Sequence, residues 1–91
     1  MAEFFVGEFG PARPLEVTMP FDPTAYTTTS LEITRPDKTK ITTAPSSQGA
    51  TFVRFSPLSS SWPHQGAYEV LIRCFTATNE RRARAKFTVV E

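Results

Sequence analysis

The residues of this sequence with reactive side chains are few and widely spaced. His64 is the single histidine and Cys74 the single cysteine. A cysteine–histidine nucleophile needs an exposed thiol beside the imidazole that takes its proton. Cys74, however, closes an alternation, Tyr68, Val70, Ile72, Cys74, in which every second residue shares a face. The thiol therefore reads as a small buried hydrophobe, and His64 as a loop residue. A metal centre needs several histidine, cysteine or carboxylate ligands converging, and a lone pair does not supply them. Asp22 before Pro23 and Asp37 after Pro36 are single acids in separate loops. Calcium wants roughly six to eight oxygens, so both aspartates read as turn formers. No phosphate-cradling glycine loop, serine nucleophile elbow or close acidic pair occurs. The expectation is a protein that is not an enzyme, with no cofactor, no metal and no small-molecule substrate.

Arg81, Arg82 and Arg84 form the one local basic cluster. No aromatic residues are interleaved with them. A net charge of +1 is far from the basic excess of nucleic-acid proteins, so no nucleic-acid partner is expected. Arginines on an edge strand also keep that strand from pairing with other chains. The charge is uneven along the chain. Glu3, Glu8, Glu16, Asp22 and Glu32 face Arg13 alone in the first third, and the remainder is net basic. No run approaches the roughly 18 apolar residues of a membrane span. The first residues also lack a basic segment leading into an apolar one, so synthesis is expected in the cytoplasm, with no membrane partner.

The elements that position these residues follow from a two-residue period. Gly66–Phe75 is the longest alternation and reads as the central strand. Leu15, Val17 and Met19 mark another strand, Leu31 and Ile33 a third within Thr27–Thr34, and Val53 and Phe55 one within Thr51–Phe55. Glu3–Val6 opens the chain as a short strand, Thr39–Thr43 returns from a turn at Arg35–Lys38, and Arg84–Val90 closes it. Ala44–Gly49 and Pro57–Ser61 read as polar connections. Phe21 and Tyr26, in an Asp-Pro loop, are placed to cap the core. About seven strands with turn signals every 8–12 residues predict an all-β sandwich, one domain over residues 1–91. With one cysteine it must be held by packing alone.

The same period exposes apolar residues on the reverse face. Leu71 and Phe75 oppose the core side of the central strand, and Phe52 does so on a strand expected beside it. Of Phe4 and Phe5, one ring must point away from the core. Two readings of these residues stand side by side: a continuous apolar surface of the kind that marks partner interfaces, or a face covered by loops of the same chain such as the Ser56–Trp62 crossover.

Several stretches resemble a known family. Phe5-Val6-Gly7-Glu8-Phe9-Gly10-Pro11 looks like the opening of small immunoglobulin-like modules in tailed-phage tail and baseplate proteins, the N-terminal domain of upper-baseplate proteins among them. Leu31-Glu32-Ile33-Thr34-Arg35-Pro36-Asp37-Lys38-Thr39 is similar to their strand and arginine-proline-aspartate-glycine hairpin, with Lys38 where the family has glycine. Trp62-Pro63-His64-Gln65-Gly66-Ala67-Tyr68-Glu69-Val70 resembles the run into their central strand, with Gln65-Gly66 for the family's alanine-glycine, and Phe87-Thr88-Val89 resembles their closing strand.

The resemblance implies an immunoglobulin-like β-sandwich of about seven antiparallel strands. It also implies a structural virion component at the tail or baseplate, or decorating the capsid, acting by contacts with other virion proteins or further copies of itself. The interface residues expected are Phe4, Phe5, Phe52, Leu71, Phe75, Arg81, Arg82 and Arg84. The alternative reading is an adhesion or carbohydrate-binding sandwich, in which Trp62 or Tyr26 would stack on sugar rings. Burial of Trp62 beneath the central strand, as its position suggests, would remove that platform.

Overall fold

In the computed structural model, which describes residues 3–10, 12, 14–58 and 61–91, the alternating stretches become strands of two facing sheets. The strands are β1 (Glu3–Phe5), β2 (Leu15–Thr18), β3 (Thr28–Thr34), β4 (Lys40–Thr43), β5 (Ser47–Gly49), β6 (Phe52–Phe55), β7 (Gly66–Phe75) and β8 (Glu80–Val90). One sheet has the order β1-β8-β7-β3-β4 and the other β2-β6-β5. The all-β expectation holds. The described strands number eight rather than about seven. They are not all antiparallel either, because β1 runs parallel to β8, with Phe4 opposite Val89. That pairing joins two segments far apart in sequence, a choice that no local pattern encodes.

Inward alternation fills the space between the sheets. Tyr68, Val70, Ile72 and Cys74 of β7, Leu31 and Ile33 of β3, Phe87 and Val89 of β8, and Phe4 of β1 come from one side. Leu15, Val17, Val53 and Phe55 come from the other, and all belong to one buried cluster. At roughly 25 cal/mol per Å² of apolar surface removed from water, this cluster is the main favourable term. Trp62, in the connection from β6 to β7, is fully buried at its centre. Its ring lies 4.9 Å from Phe87, 5.5 Å from both Phe4 and Tyr68, and 6.2 Å from Phe55 between centroids. Most of these meet edge to face, the arrangement ring quadrupoles favour. No acceptor reaches the Trp62 indole nitrogen among the described residues.

A strand start, an added strand and a pairing differ from the sequence reading. β8 begins at Glu80, not Arg84, because the hairpin with β7 continues in register to Phe75 opposite Glu80. Its first turns of alternation are carried by charged side chains, which hide the period. Ser47–Gly49 is a strand, β5, within what reads as a polar connection; it pairs with β6 and has no apolar face to announce it. Phe52–Phe55 pairs with β2 and β5, not with the central strand. Pro11 of the first turn, and Ser59 and Ser60 of the crossover, lie outside the described residues.

The β3–β4 turn is built around a left-handed lysine. The Lys38 amide donates to the Arg35 carbonyl at 3.0 Å, and the Arg35 amide to the Thr39 carbonyl at 2.9 Å. Asp37 accepts from the Thr39 amide and hydroxyl at 3.1 and 2.6 Å. Lys38 is left-handed, φ +74°, and is the one non-glycine residue with positive φ among those described. A type I turn followed by a left-handed residue suits glycine at that position. A side chain there costs on the order of 1–2 kcal/mol. Lys38→Gly is therefore expected to stabilise the fold by up to about 1 kcal/mol, the loss of backbone freedom taking back part of the relief. Urea unfolding measures it, and a destabilised variant would contradict the turn geometry. Gly66 is constrained differently: its φ is +133°, and a Cβ there would sit 2.9 Å from Cγ of Pro36 in the same turn.

Candidate interaction surface

The two reactive side chains of the sequence are not brought together. His64 lies just before β7, while Cys74 is near the far end of that ten-residue strand. Cys74 is fully buried; burial pushes its thiol pKa up, and the contact with the Thr29 hydroxyl at 3.7 Å only partly offsets this. Neither change makes a nucleophile. His64 is half-exposed, its Nε2 3.1 Å from an Asp37 carboxylate oxygen. Asp37 is held below the usual carboxylate range by the Thr39 hydroxyl and amide before the histidine contributes. Asp22 caps the short 3-10 turn Pro23–Ala25, accepting from the Thr24 amide at 2.9 Å. Both aspartates are thus turn formers. Among the described residues no three histidine, cysteine or acidic side chains gather into a cluster able to hold a metal.

The expected apolar sheet face takes a different form. By register, Leu71 stands between Arg84 of β8 and Glu32 of β3, with Glu69 and Arg73 flanking it along β7. Ion pairs cross this face, Lys40 to Glu32 at 3.5 Å, Arg84 to Glu69 at 3.7 Å and Arg73 to Glu80 at 2.9 Å. Leu71 is a half-buried island in a charged mosaic. Phe75 lies at the strand end with the Arg73 guanidinium 5.5 Å from its ring. Phe52 belongs to the opposite sheet and faces away on the other side of the molecule, its ring covered by the Arg54 guanidinium at 4.4 Å. A continuous surface through Leu71, Phe75 and Phe52 is therefore not formed: strand alternation shows which side of a strand is out, but not which sheet the strand joins. Phe4 is buried in the core, so of that pair only Phe5 is exposed.

The exposed large apolar residues collect elsewhere. Phe5 is 51% exposed, Val6 39%, Phe9 62% and Leu58 66%. Backbone hydrogen bonds hold their segments together: the Gly7 amide donates to the Trp62 carbonyl and the Gly10 amide to the Pro57 carbonyl, both at 2.9 Å. The Val6 amide continues the β1–β8 pairing by donating to the Val90 carbonyl. Gly7 and Gly10, with φ of +77° and +105°, provide the turns that lay this loop along the β6–β7 connection. The result is an apolar rim at the β1 edge of the larger sheet. Sequence reasoning missed Val6, Phe9 and Leu58. The available signal was an aromatic between two turn glycines, and a leucine in a serine-rich connection, neither with a strand period to carry it inward.

The arginine hairpin is a third surface. Arg81 places its guanidinium 4.5 Å from the Phe21 ring, and Phe21 meets Tyr26 edge to face at 5.7 Å, so these two aromatics do cap that end of the core. Glu80 is gripped by Arg73 and Arg82. Hydrogen bonds from Arg73 first, then Arg82, pull its pKa from about 4.5 down to about 2. The carboxyl resonance of Glu80 in an NMR titration is expected to move with a midpoint near 2, and to shift upward in Arg73→Ala while staying below the ordinary glutamate value, because Arg82 still donates to it. A depressed folded-state pKa means that any stability from these pairs is full above about pH 4.5 and is lost as pH falls toward 2. An ordinary midpoint in the intact protein would contradict the bridge.

No family model matches the chain, and no curated protein matches it either.

Proposed function

We propose that the chain is an immunoglobulin-like sandwich acting as a non-catalytic interaction module of a tailed-phage virion, made in the host cytoplasm and assembled at the tail, baseplate or capsid surface. The strand order supports the immunoglobulin-like part. A β2-β6-β5 sheet facing β8-β7-β3-β4 has the arrangement of a B-E-D sheet against G-F-C with an added strand. Tyr68 adds to it. At the start of β7 its hydroxyl donates to the His64 carbonyl at 2.7 Å and accepts from the His64 amide at 3.2 Å, the corner that a tyrosine makes at this place in such sandwiches.

The observation that carries the functional reading is the apolar rim of Phe5, Val6, Phe9 and Leu58. Large apolar side chains exposed on segments bonded to one another favour a place where a partner sits. The resemblance of Phe5–Pro11 to the opening of phage modules falls on this same segment. The partners proposed are other virion proteins or further copies of the chain. The carbohydrate-binding alternative needed an aromatic platform, and Trp62 is sealed in the core while Tyr26 is half-buried against Phe21.

Size-exclusion chromatography with light scattering tests the reading. The protein is expected to be monomeric alone, to co-elute with a tail, baseplate or capsid subunit, and to lose that complex in Phe5→Ser/Phe9→Ser/Leu58→Ser. Hits on a glycan array without any such complex would favour the alternative.

A further inference from the structure

We propose that the free edge of β8 between Glu80 and Phe87 receives an extended acidic segment of a partner protein as an added strand. β8 is paired along its whole length with β7, but β1 covers only Thr88–Val90 on its other side. From Glu80 to Phe87 that second edge has no strand on it among the described residues. Its direction is fixed by the hydrogen bonds at either end. The Val90 carbonyl accepts from Val6 on the β1 side, and the Asn79 carbonyl accepts from Thr76 on the β7 side. Backbone groups alternate along a strand, so the amides and carbonyls of Arg82, Arg84 and Lys86 point to the open edge. Those of Arg81, Ala83 and Ala85 point to β7.

The side chains specify what would fit. On the outer face the open stretch presents Arg82, Arg84 and Lys86, with Glu80 as the one acid. Arg82 pairs with Glu80 and Arg84 reaches Glu69 at 3.7 Å, whereas Lys86 has no ion pair among the described residues. On the inner face stand the half-buried Ala83 and Ala85, packed against the core. Beyond them a groove of about 260 Å³ separates β8, from Arg84 to Phe87, from β2, from Leu15 to Thr18. An added strand would thus have one row of side chains over the cations and the other row over small residues and a groove. Strand addition of this kind takes affinity from main-chain hydrogen bonds and specificity from alternate side chains. The matching pattern is acid alternating with an apolar residue.

This rests on reading the domain as a protein-binding module, but it is tested apart from the rim. The probe is a blocked octapeptide alternating glutamate and valine, with a lysine–valine peptide as control, added to the full chain. Fluorescence anisotropy is expected to show binding of the acidic peptide only, weakened at least about tenfold in Arg84→Glu/Lys86→Glu. Amide hydrogen exchange by NMR on the unsubstituted protein is expected to slow at Arg82, Arg84 and Lys86, with Arg81, Ala83 and Ala85 already slow. Absence of binding overturns the proposal, and so does binding that leaves those three amides fast, which would be adsorption of charge on charge. Either negative result, with the virion-subunit complex intact, leaves the module reading standing and removes only this edge.

Discussion

Trp62→Ala is expected to lower the free energy of unfolding by about 3–5 kcal/mol. Trp62 has no exposed surface and meets the rings of Phe4, Phe55, Tyr68 and Phe87, which come from both sheets. Its removal leaves a cavity that neighbours on strands held by β ladders cannot close, and the cost rises with the volume left empty. A domain of this length has about 5–14 kcal/mol in total. The substitution therefore takes a large part of the stability, and no disulfide is present to compensate. Trp62→Phe is expected to cost less, because it keeps most ring contacts and removes the indole N–H that lacks an acceptor among the described residues. Urea unfolding followed by circular dichroism measures both. A loss below about 1 kcal/mol for the alanine variant would mean that the two sheets pack without this ring.

Phe4→Ala and Phe5→Ala are expected to separate completely, though the residues are neighbours on β1. Phe4 is buried, its ring 5.5 Å from Trp62 and 5.6 Å from Phe87, and its truncation is expected to cost about 3–5 kcal/mol. Phe5 is half-exposed, and its truncation is expected to stay within about 0.5 kcal/mol while weakening the proposed complex with a virion subunit. Chemical denaturation and co-elution, run on both variants, give the two readouts. Equal losses of stability would show that β1 does not hold the alternation described.

How far the sequence carries can be judged from individual residues. The face shared by Tyr68, Val70, Ile72 and Cys74 was legible because a ten-residue alternation has one solution. Burial of Trp62 and the inward turn of Val53 and Phe55 were legible for similar reasons. The period points Phe52 outward, as found, but the structure pairs its strand with β2 and β5 rather than with the central strand. Period fixes a face, and only long-range pairing fixes a sheet. The start of β8 was hidden because Glu80, Arg81 and Arg82 are all charged, which erases the contrast that defines a period. β5 was hidden because Ser47, Gln48 and Gly49 have no apolar member. Of the expected interface, Phe5 is exposed on the rim and the arginines lie at the β8 edge, while Phe4 is core. Val6, Phe9 and Leu58 were not legible, because their exposure is set by loop hydrogen bonds rather than by strand rhythm.

The parallel pairing of β1 with β8 also bears on synthesis. Phe4 leaves the ribosome well before Val89, its opposite number across the pairing. Until β8 has emerged the β1 segment lacks the strand it pairs with, and Phe4 has no place beside Trp62. The β7–β8 hairpin, by contrast, can form as soon as both its arms emerge, its contacts being local. Docking of β1 on β8 thus has to wait for the second of the two strands, and until then the nascent polypeptide carries an unshielded phenylalanine. An intermediate that retains the hairpin but lacks its N-terminal tie is where chaperone capture or mispairing between nascent chains would begin.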